Sequence, residues 1–140
     1  MGTKPILNIT PSAFSKYGTV LTFTDKCVDG FEIVVRAENT GWRIALLEFS
    51  RKTTKVVENH PHSKESFEPI SGMSLLMVAE NSTPEEFEVF LLDQPICLNE
   101  GVWHQVISLS EVSKVKITEN LEVECEYHQL QNEVSPFVLY

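Results

Sequence analysis

Two short segments of the chain concentrate the side chains that bind metal ions in proteins. The first is Glu58-Asn59-His60-Pro61-His62-Ser63-Lys64-Glu65, and the second is Asn99-Glu100-Gly101-Val102-Trp103-His104. Imidazole nitrogens and carboxylate oxygens together suit a divalent ion such as Zn, Fe, Ni or Mn. If the fold brings both segments together, they form a candidate metal site in which the type of metal is open.

The spacing within both segments resembles the two motifs of the cupin superfamily. In its first motif, two histidines one residue apart precede a glutamate, and a glycine follows seven residues later. Here His60, Glu65 and Gly72 keep these positions. Glu58 stands in place of the first histidine of the pair. The second motif, Pro-x-Gly-x-x-His, fits residues 99–104 with asparagine instead of proline. The resemblance implies a ligand set of Glu58, His60, Glu65 and His104.

A more specific resemblance, to the ureidoglycolate lyase family, covers most of the chain. Residues 9–20 are similar to the family's Ala-Phe…Tyr/Phe-Gly-x-Val opening, residues 58–70 to its Glu-Arg-His-Pro…Gln-x-Phe-x-Pro signature, and residues 101–104 to its Val-Trp-His segment. The three segments occur in the family's order. The chain departs from the pattern at two positions, with Asn59 in place of arginine and Glu65 in place of the common glutamine.

The resemblance implies a reaction that splits ureidoglycolate into glyoxylate and urea with the help of a divalent metal. This is an elimination in which a base removes the hydroxyl proton and an acid protonates the departing urea. Glu65 and His104 are the candidate catalytic residues, and Glu65 is either a metal ligand or the base. Arg51 and Lys64 are the candidates to bind the carboxylate of the small-molecule substrate.

Other interpretations remain open from the sequence. Because Asn59 lacks a guanidinium group, the protein could be a family member with a changed substrate. It could equally be a non-catalytic cupin that binds a small ligand, or a structural or regulatory dimer. His60 before Pro61 also fits a turn residue that binds the backbone, and His62 and His128 fit solvated surface positions.

The pattern around these motifs predicts strands with little helix. Thr10-Pro11 and Thr83-Pro84 are helix-start signals, each followed by only a few residues before a turn or a β-rich run. Together with the cupin resemblance, this predicts an all-β, cupin-like jelly-roll barrel with one or two short helices, as a single domain over residues 1–140. Ser74 to Val78 should be buried on both faces. The predicted strands cover residues 19–24, 31–36, 43–49, 55–58, 73–79, 87–92, 103–109, 115–118 and 121–126.

Charge and composition restrict the partners. A net charge of −9 argues against nucleic acid, because phosphate binding needs clustered Lys and Arg. The longest apolar runs fall short of the roughly 20 residues of a membrane span. The N-terminal sequence lacks the apolar core of a signal peptide, and the three cysteines form no CxxC pair, which predicts a cytoplasmic protein. The family resemblance and the apolar tail 135–140 predict a homodimer.

Overall fold

Eleven β-strands make up the regular structure of the part of the chain that the structure describes. The computed structural model describes residues 2–39 and 41–136, and no helix occurs among them. The strands are β1 (Ile6–Asn8), β2 (Gly18–Val20), β3 (Arg43–Phe49), β4 (Thr54–Asn59), β5 (Glu65–Ser71), β6 (Ser74–Ala79), β7 (Glu88–Leu91), β8 (Ile96–Leu98), β9 (Trp103–Ser108), β10 (Ser113–Glu119) and β11 (Glu126–Val134).

The strands form two sheets with jelly-roll connectivity. One sheet has the order β1-β7-β6-β9-β4-β11, and the other has the order β2-β8-β5-β10-β3. Within β3 to β10 the chain passes from sheet to sheet at every connection except the β6–β7 hairpin, and all pairs among these eight strands are antiparallel. Eight strands connected in this way are the jelly roll found in cupins. The prediction of an all-β, cupin-like jelly roll is confirmed.

The main core lies between the two sheets. Leu76 and Val78 of β6 point into it, together with Phe90 and Val106, and all four are almost fully buried. Leu75 and Met77 point to the other face of the same sheet, where a second cluster includes Leu130 of β11. β6 is therefore buried on both faces, as its continuous apolar sequence predicts.

The two helix-start signals form hydrogen-bonded turns. At the first, the Phe14 amide donates to the Thr10 carbonyl at 3.0 Å and the Gly18 amide donates to Phe14 at 3.1 Å. At the second, the Glu86 amide donates to Thr83 at 3.0 Å. A longer helix at the first site would lift Phe14 and Tyr17 out of the core, where their rings pack edge-on against Phe90.

Two predicted strands are wrong. In residues 31–36 the backbone forms only the isolated bridge between Val28 and Phe31, and Phe31 is 71% exposed. Residues 121–125 alternate polar and apolar side chains, but they lie in a loop and nearly all are exposed. Alternation favours a strand only where a neighbouring strand is available to pair. The strands β1, β5 and β8 were not predicted, and neither was β11, of which only Glu126 lies in a predicted strand.

No helix among the described residues is long and apolar enough to cross a membrane. Most of the apolar tail on which the dimer prediction depends, residues 137–140, lies outside the described residues.

Gly72, the glycine of the cupin motif, offers a test of the turn between β5 and β6. Its φ is +80°, and a Cβ would lie 2.5 Å from the Val112 carbonyl oxygen and 2.9 Å from Ser113 Cα. We expect Gly72→Ala to lower the free energy of unfolding by more than about 2 kcal/mol in urea denaturation. Gly30→Ala is the matched control, because Gly30 has φ +77° with no atom within 4 Å of a Cβ. Equal losses in both variants would show that the contacts around Gly72 contribute nothing.

Candidate metal centre

One end of the barrel carries a buried cluster of two histidines and a glutamate. His60 follows β4 directly, Glu65 begins β5, and His104 is the second residue of β9. The antiparallel strands β4 and β9 pair at Glu58 and His104, so the end of one strand meets the start of the other. His60, Glu65 and His104 are only 5%, 5% and 3% exposed. The fold thus brings together the two segments that the sequence identified.

The three side chains converge at short distances. His60 Nε2 lies 3.0 Å from Glu65 Oε2, and His104 Nε2 lies 3.0 Å from Glu65 Oε1. The ring centroids of the two histidines are 5.1 Å apart. One ligand atom from each of the three residues lies within 4.8 Å of the other two, which is a separation that one ion could bridge.

The cluster contains buried polar atoms without hydrogen-bond partners. Despite the 3.0 Å separations, the atoms are not aligned for hydrogen bonds, and His60 Nε2, His104 Nε2 and Glu65 Oε1 are left unsatisfied. Buried polar atoms normally have a partner, because an unsatisfied group costs about 1–3 kcal/mol. A divalent cation between these atoms would satisfy all three, so the residues fit a metal of the Zn, Fe, Ni or Mn type.

Backbone carbonyls orient both imidazoles. His60 Nδ1 donates to the Glu124 carbonyl at 3.1 Å, and His104 Nδ1 donates to the Val102 carbonyl at 2.9 Å. A proton fixed on Nδ1 leaves Nε2 as the nitrogen that can bind a cation, and such outer hydrogen bonds accompany metal-binding histidines in general. His60 also begins a turn, since its carbonyl accepts from the Ser63 amide at 3.5 Å. The turn position that the sequence left open is therefore compatible with a place in the cluster.

The charges of the cluster stabilise one another. Burial alone would raise the pKa of Glu65, but the imidazoles of His104 and His60 hold it far below its usual range. Burial alone would lower the pKa of His104, but the carboxylates of Glu58 and Glu65 raise it to about 10. The site therefore favours positive charge between its carboxylates, whether a proton or a metal ion supplies it.

Glu58, the fourth predicted ligand, lies at the edge of the cluster. Its Oε1 is 3.7 Å from His104 Nε2, and its side chain is 31% exposed. It forms a second group of possible ligands with His60 and Cys125, whose Sγ lies 3.4 Å from His60 Nδ1. No sequence motif singled out Cys125. Its position follows from the β4–β11 pairing, because Glu126 lies opposite Asn59 and the next residue in each direction is Cys125 and His60.

The two predicted substrate-binding cations lie apart from the cluster. Arg51 donates from Nη1 to the side chain of Gln105. Gln105 follows His104 on β9, so its side chain points to the opposite face of the sheet. Lys64 precedes Glu65 and lines a surface cavity of about 400 Å³ that Ser66, Glu68 and Glu119 also line, and no contact joins it to the two histidines. A substrate-binding role for either residue stays a prediction without support from these contacts.

Asn59, the main departure from the family motif, does not face the cluster. Its neighbours Glu58 and His60 both reach His104 or Glu65, and successive side chains of a strand point to opposite faces. Asn59 is fully buried, and neither atom of its amide has a hydrogen-bond partner. The exchange of arginine for asparagine therefore changes the outer side of β4 and leaves the cluster itself intact.

A jelly-roll barrel with two histidines and a glutamate converging at one end defines a protein of the cupin class. The family model for ureidoglycolate lyase matches residues 30–136, and the chain belongs to the ureidoglycolate lyase family. The family resemblance read from the three motif segments is confirmed.

Two solved structures of Bacillus subtilis oxalate decarboxylase also match. One, described for its Mn(II) centres, is 15% identical with a TM-score of 0.48 and covers 68% of this chain. The other, a mutant of the same enzyme, is 15% identical with a TM-score of 0.39 and covers 64%. The chain spans about a quarter of the length of these proteins (24%). No curated protein matches significantly.

Removal of one imidazole tests the metal centre. We expect His60→Ala to abolish the uptake of divalent metal while the β-rich circular dichroism spectrum persists, because the ion would lose one of two nitrogen ligands. Metal content after dialysis against Mn²⁺, Ni²⁺ or Zn²⁺, followed by buffer, measures the effect.

His62→Ala is the matched control, since the His62 side chain is 75% exposed and lies outside the cluster. It should retain the metal content of the unaltered protein. If His60→Ala binds as much metal as His62→Ala, the cluster is not the metal site.

Proposed function

We propose that the protein is a metal-dependent lyase that cleaves ureidoglycolate, or a closely related small hydroxy-carboxylate, to glyoxylate and urea. The observation that carries the proposal is the convergence of His60, Glu65 and His104, with unsatisfied ligand atoms, in a member of the ureidoglycolate lyase family. The cluster lies at one end of a barrel whose interior is filled by apolar side chains. Chemistry at this end would therefore take place beside a rigid support.

His60, Glu65 and His104 would hold the metal, with Glu58 as an optional fourth ligand. A divalent ion at this position would supply Lewis-acid stabilisation of the substrate hydroxyl and carboxylate oxygens. Both carboxylate oxygens of Glu65 lie 3.0 Å from imidazole nitrogens of the cluster, which supports the ligand role among its two predicted alternatives. His104 acts in catalysis through its Nε2, the atom that faces Glu65.

Glu58 is the carboxylate best placed to receive the substrate's hydroxyl proton. Among the carboxylates of the cluster it is the more exposed, with 31% of its side chain accessible against 7% for Glu65. The neighbouring His104 lowers the pKa of Glu58, against the effect of its burial, so the group is ionised at neutral pH and can accept a proton.

Arg43 is the cation placed to meet the substrate carboxylate. Its Nε and Nη2 donate to Glu119 Oε1 at 2.9 and 2.6 Å, and Glu119 lies opposite Glu65 in the neighbouring strand. The Arg43 side chain is about half exposed, so Nη1 is available for a carboxylate oxygen. This assignment replaces the arginine that the family motif carries at position 59.

Turnover of ureidoglycolate is the direct test. We expect the metal-loaded protein to release glyoxylate and urea in equal amounts, faster than a protein-free blank. His104→Ala should reduce kcat/KM at least about 100-fold, because it removes both a ligand and a charge at the reacting centre. His62→Ala should keep the unaltered rate.

Calorimetric titration with ureidoglycolate and with simple 2-hydroxy acids tests the two alternative functions. Binding without turnover would favour a non-catalytic, ligand-binding cupin, and turnover of another hydroxy acid would favour a changed substrate.

We also propose that the protein is a cytoplasmic homodimer. On the outer face of the six-stranded sheet, Phe87, Leu91, Trp103 and Val134 are only partly buried around the second apolar cluster. A second copy could cover this face. Light scattering at micromolar concentration should give about twice 15.9 kDa. A mass equal to one chain would contradict the dimer.

A further inference from the structure

A second buried carboxylate lies beside Glu65 and has no part in the functions described for the family motifs. Glu119 ends β10, directly opposite Glu65 at the start of β5. Both are buried, at 8% and 5% exposure. Glu119 Oε2 and Glu65 Oε1 each lack a hydrogen-bond partner. Two adjacent carboxyl groups in this setting must either share a proton or hold a cation between them.

Arg43 anchors the other oxygen of Glu119. The β3–β10 pairing places Arg43 opposite Glu119, so Arg43, Glu119 and Glu65 form one row across three adjacent strands. Both bonds from Arg43 end on Glu119 Oε1. With Oε1 fixed in this way, Oε2 is left on the side of Glu65. The row ends at the imidazoles, because Glu65 contacts His60 and His104.

We propose that Glu119 is a positioning residue, which Arg43 fixes through one oxygen and which holds the Glu65 carboxylate toward His60 and His104 for a divalent metal. The inference rests on the proposed metal site. Outer residues of this kind typically change metal affinity 10- to 100-fold when they are removed.

Glutamine at position 119 separates a positioning role from a ligand role. In Glu119→Gln the amide oxygen can still accept from Arg43, and the amide nitrogen can donate to Glu65. In Glu119→Ala both contacts are lost. A ligand role predicts that both variants weaken metal binding, because an amide is a much poorer ligand than a carboxylate. A positioning role predicts that glutamine restores binding.

The experiment is a calorimetric titration of metal-free protein with MnCl₂, and with ZnCl₂ as a second probe. We expect Glu119→Ala to bind 10- to 100-fold more weakly and Glu119→Gln to bind within about 3-fold of the unaltered protein. Arg43→Met, which removes the anchor from a half-exposed position, should weaken binding by an intermediate factor. Glu48→Ala is the control, since Glu48 is an exposed glutamate on β3 that pairs only with Lys114 at 3.7 Å.

Three results overturn the proposal: unchanged affinity in Glu119→Ala, equal losses with alanine and glutamine, or a loss as large in Glu48→Ala. If Glu119→Ala does not fold, the other two variants supply the test. Weaker metal binding in Arg43→Met together with nearly unchanged binding in Glu119→Gln supports the proposal, and any other combination overturns it.

If the unaltered protein binds neither Mn²⁺ nor Zn²⁺, the proposed function is refuted. Crystal structures of the variants then test the positioning role separately. Displacement of the Glu65 carboxylate from both imidazoles in Glu119→Ala, but not in Glu119→Gln, supports positioning. Glu65 still 3.0 Å from both nitrogens in Glu119→Ala refutes it.

Discussion

The site depends on one electrostatic constraint: a carboxylate can be buried at the end of this barrel only with positive charge around it. An isolated carboxylate moved out of water loses several kcal/mol of solvation, and Glu65 recovers this through two imidazoles at 3.0 Å. The imidazoles are in turn held by the carbonyls of Glu124 and Val102. Backbone, ring and carboxylate thus form one continuous polar network, and removing any member leaves another buried without a partner.

The jelly roll explains why residues far apart in sequence form this network. β4 and β9 are adjacent in one sheet, β5 and β10 in the other, and the barrel closes where the two sheets meet. His60 and Glu65 flank the connection from one sheet to the other, so the four residues 61–64 cross this end of the barrel. His104 enters from β9 through its pairing with Glu58. The apolar core lies directly below the cluster, and the ring centroid of Phe67 is 5.7 Å from that of His104. This packing supports the cluster from inside the barrel.

The cluster residues could be predicted from the sequence because the spacing within each motif reflects the positions of its residues along a strand. Residues two apart on a strand share a face, as Glu58 and His60 do, and the spacing of seven places Glu65 at the start of β5 and Gly72 just after its end. Contacts between strands could not be predicted in the same way. Arg43, Glu119 and Cys125 reach the site only through the β3–β10–β5 and β4–β11 registers, which no local spacing encodes.

The arginine at the start of β3 also affects how the molecule behaves toward other copies of itself. Among the described strands, β3 is the outer strand of its sheet, and it exposes Ile44 and Leu46 at 54% and 76%. An exposed outer strand with apolar side chains can pair with a strand of another molecule and start aggregation. Here Arg43 and Glu48 bracket the apolar pair with opposite charges, and charges at such positions disfavour uncontrolled strand addition. The side chain that bonds to the buried Glu119 therefore also disfavours strand addition at this edge.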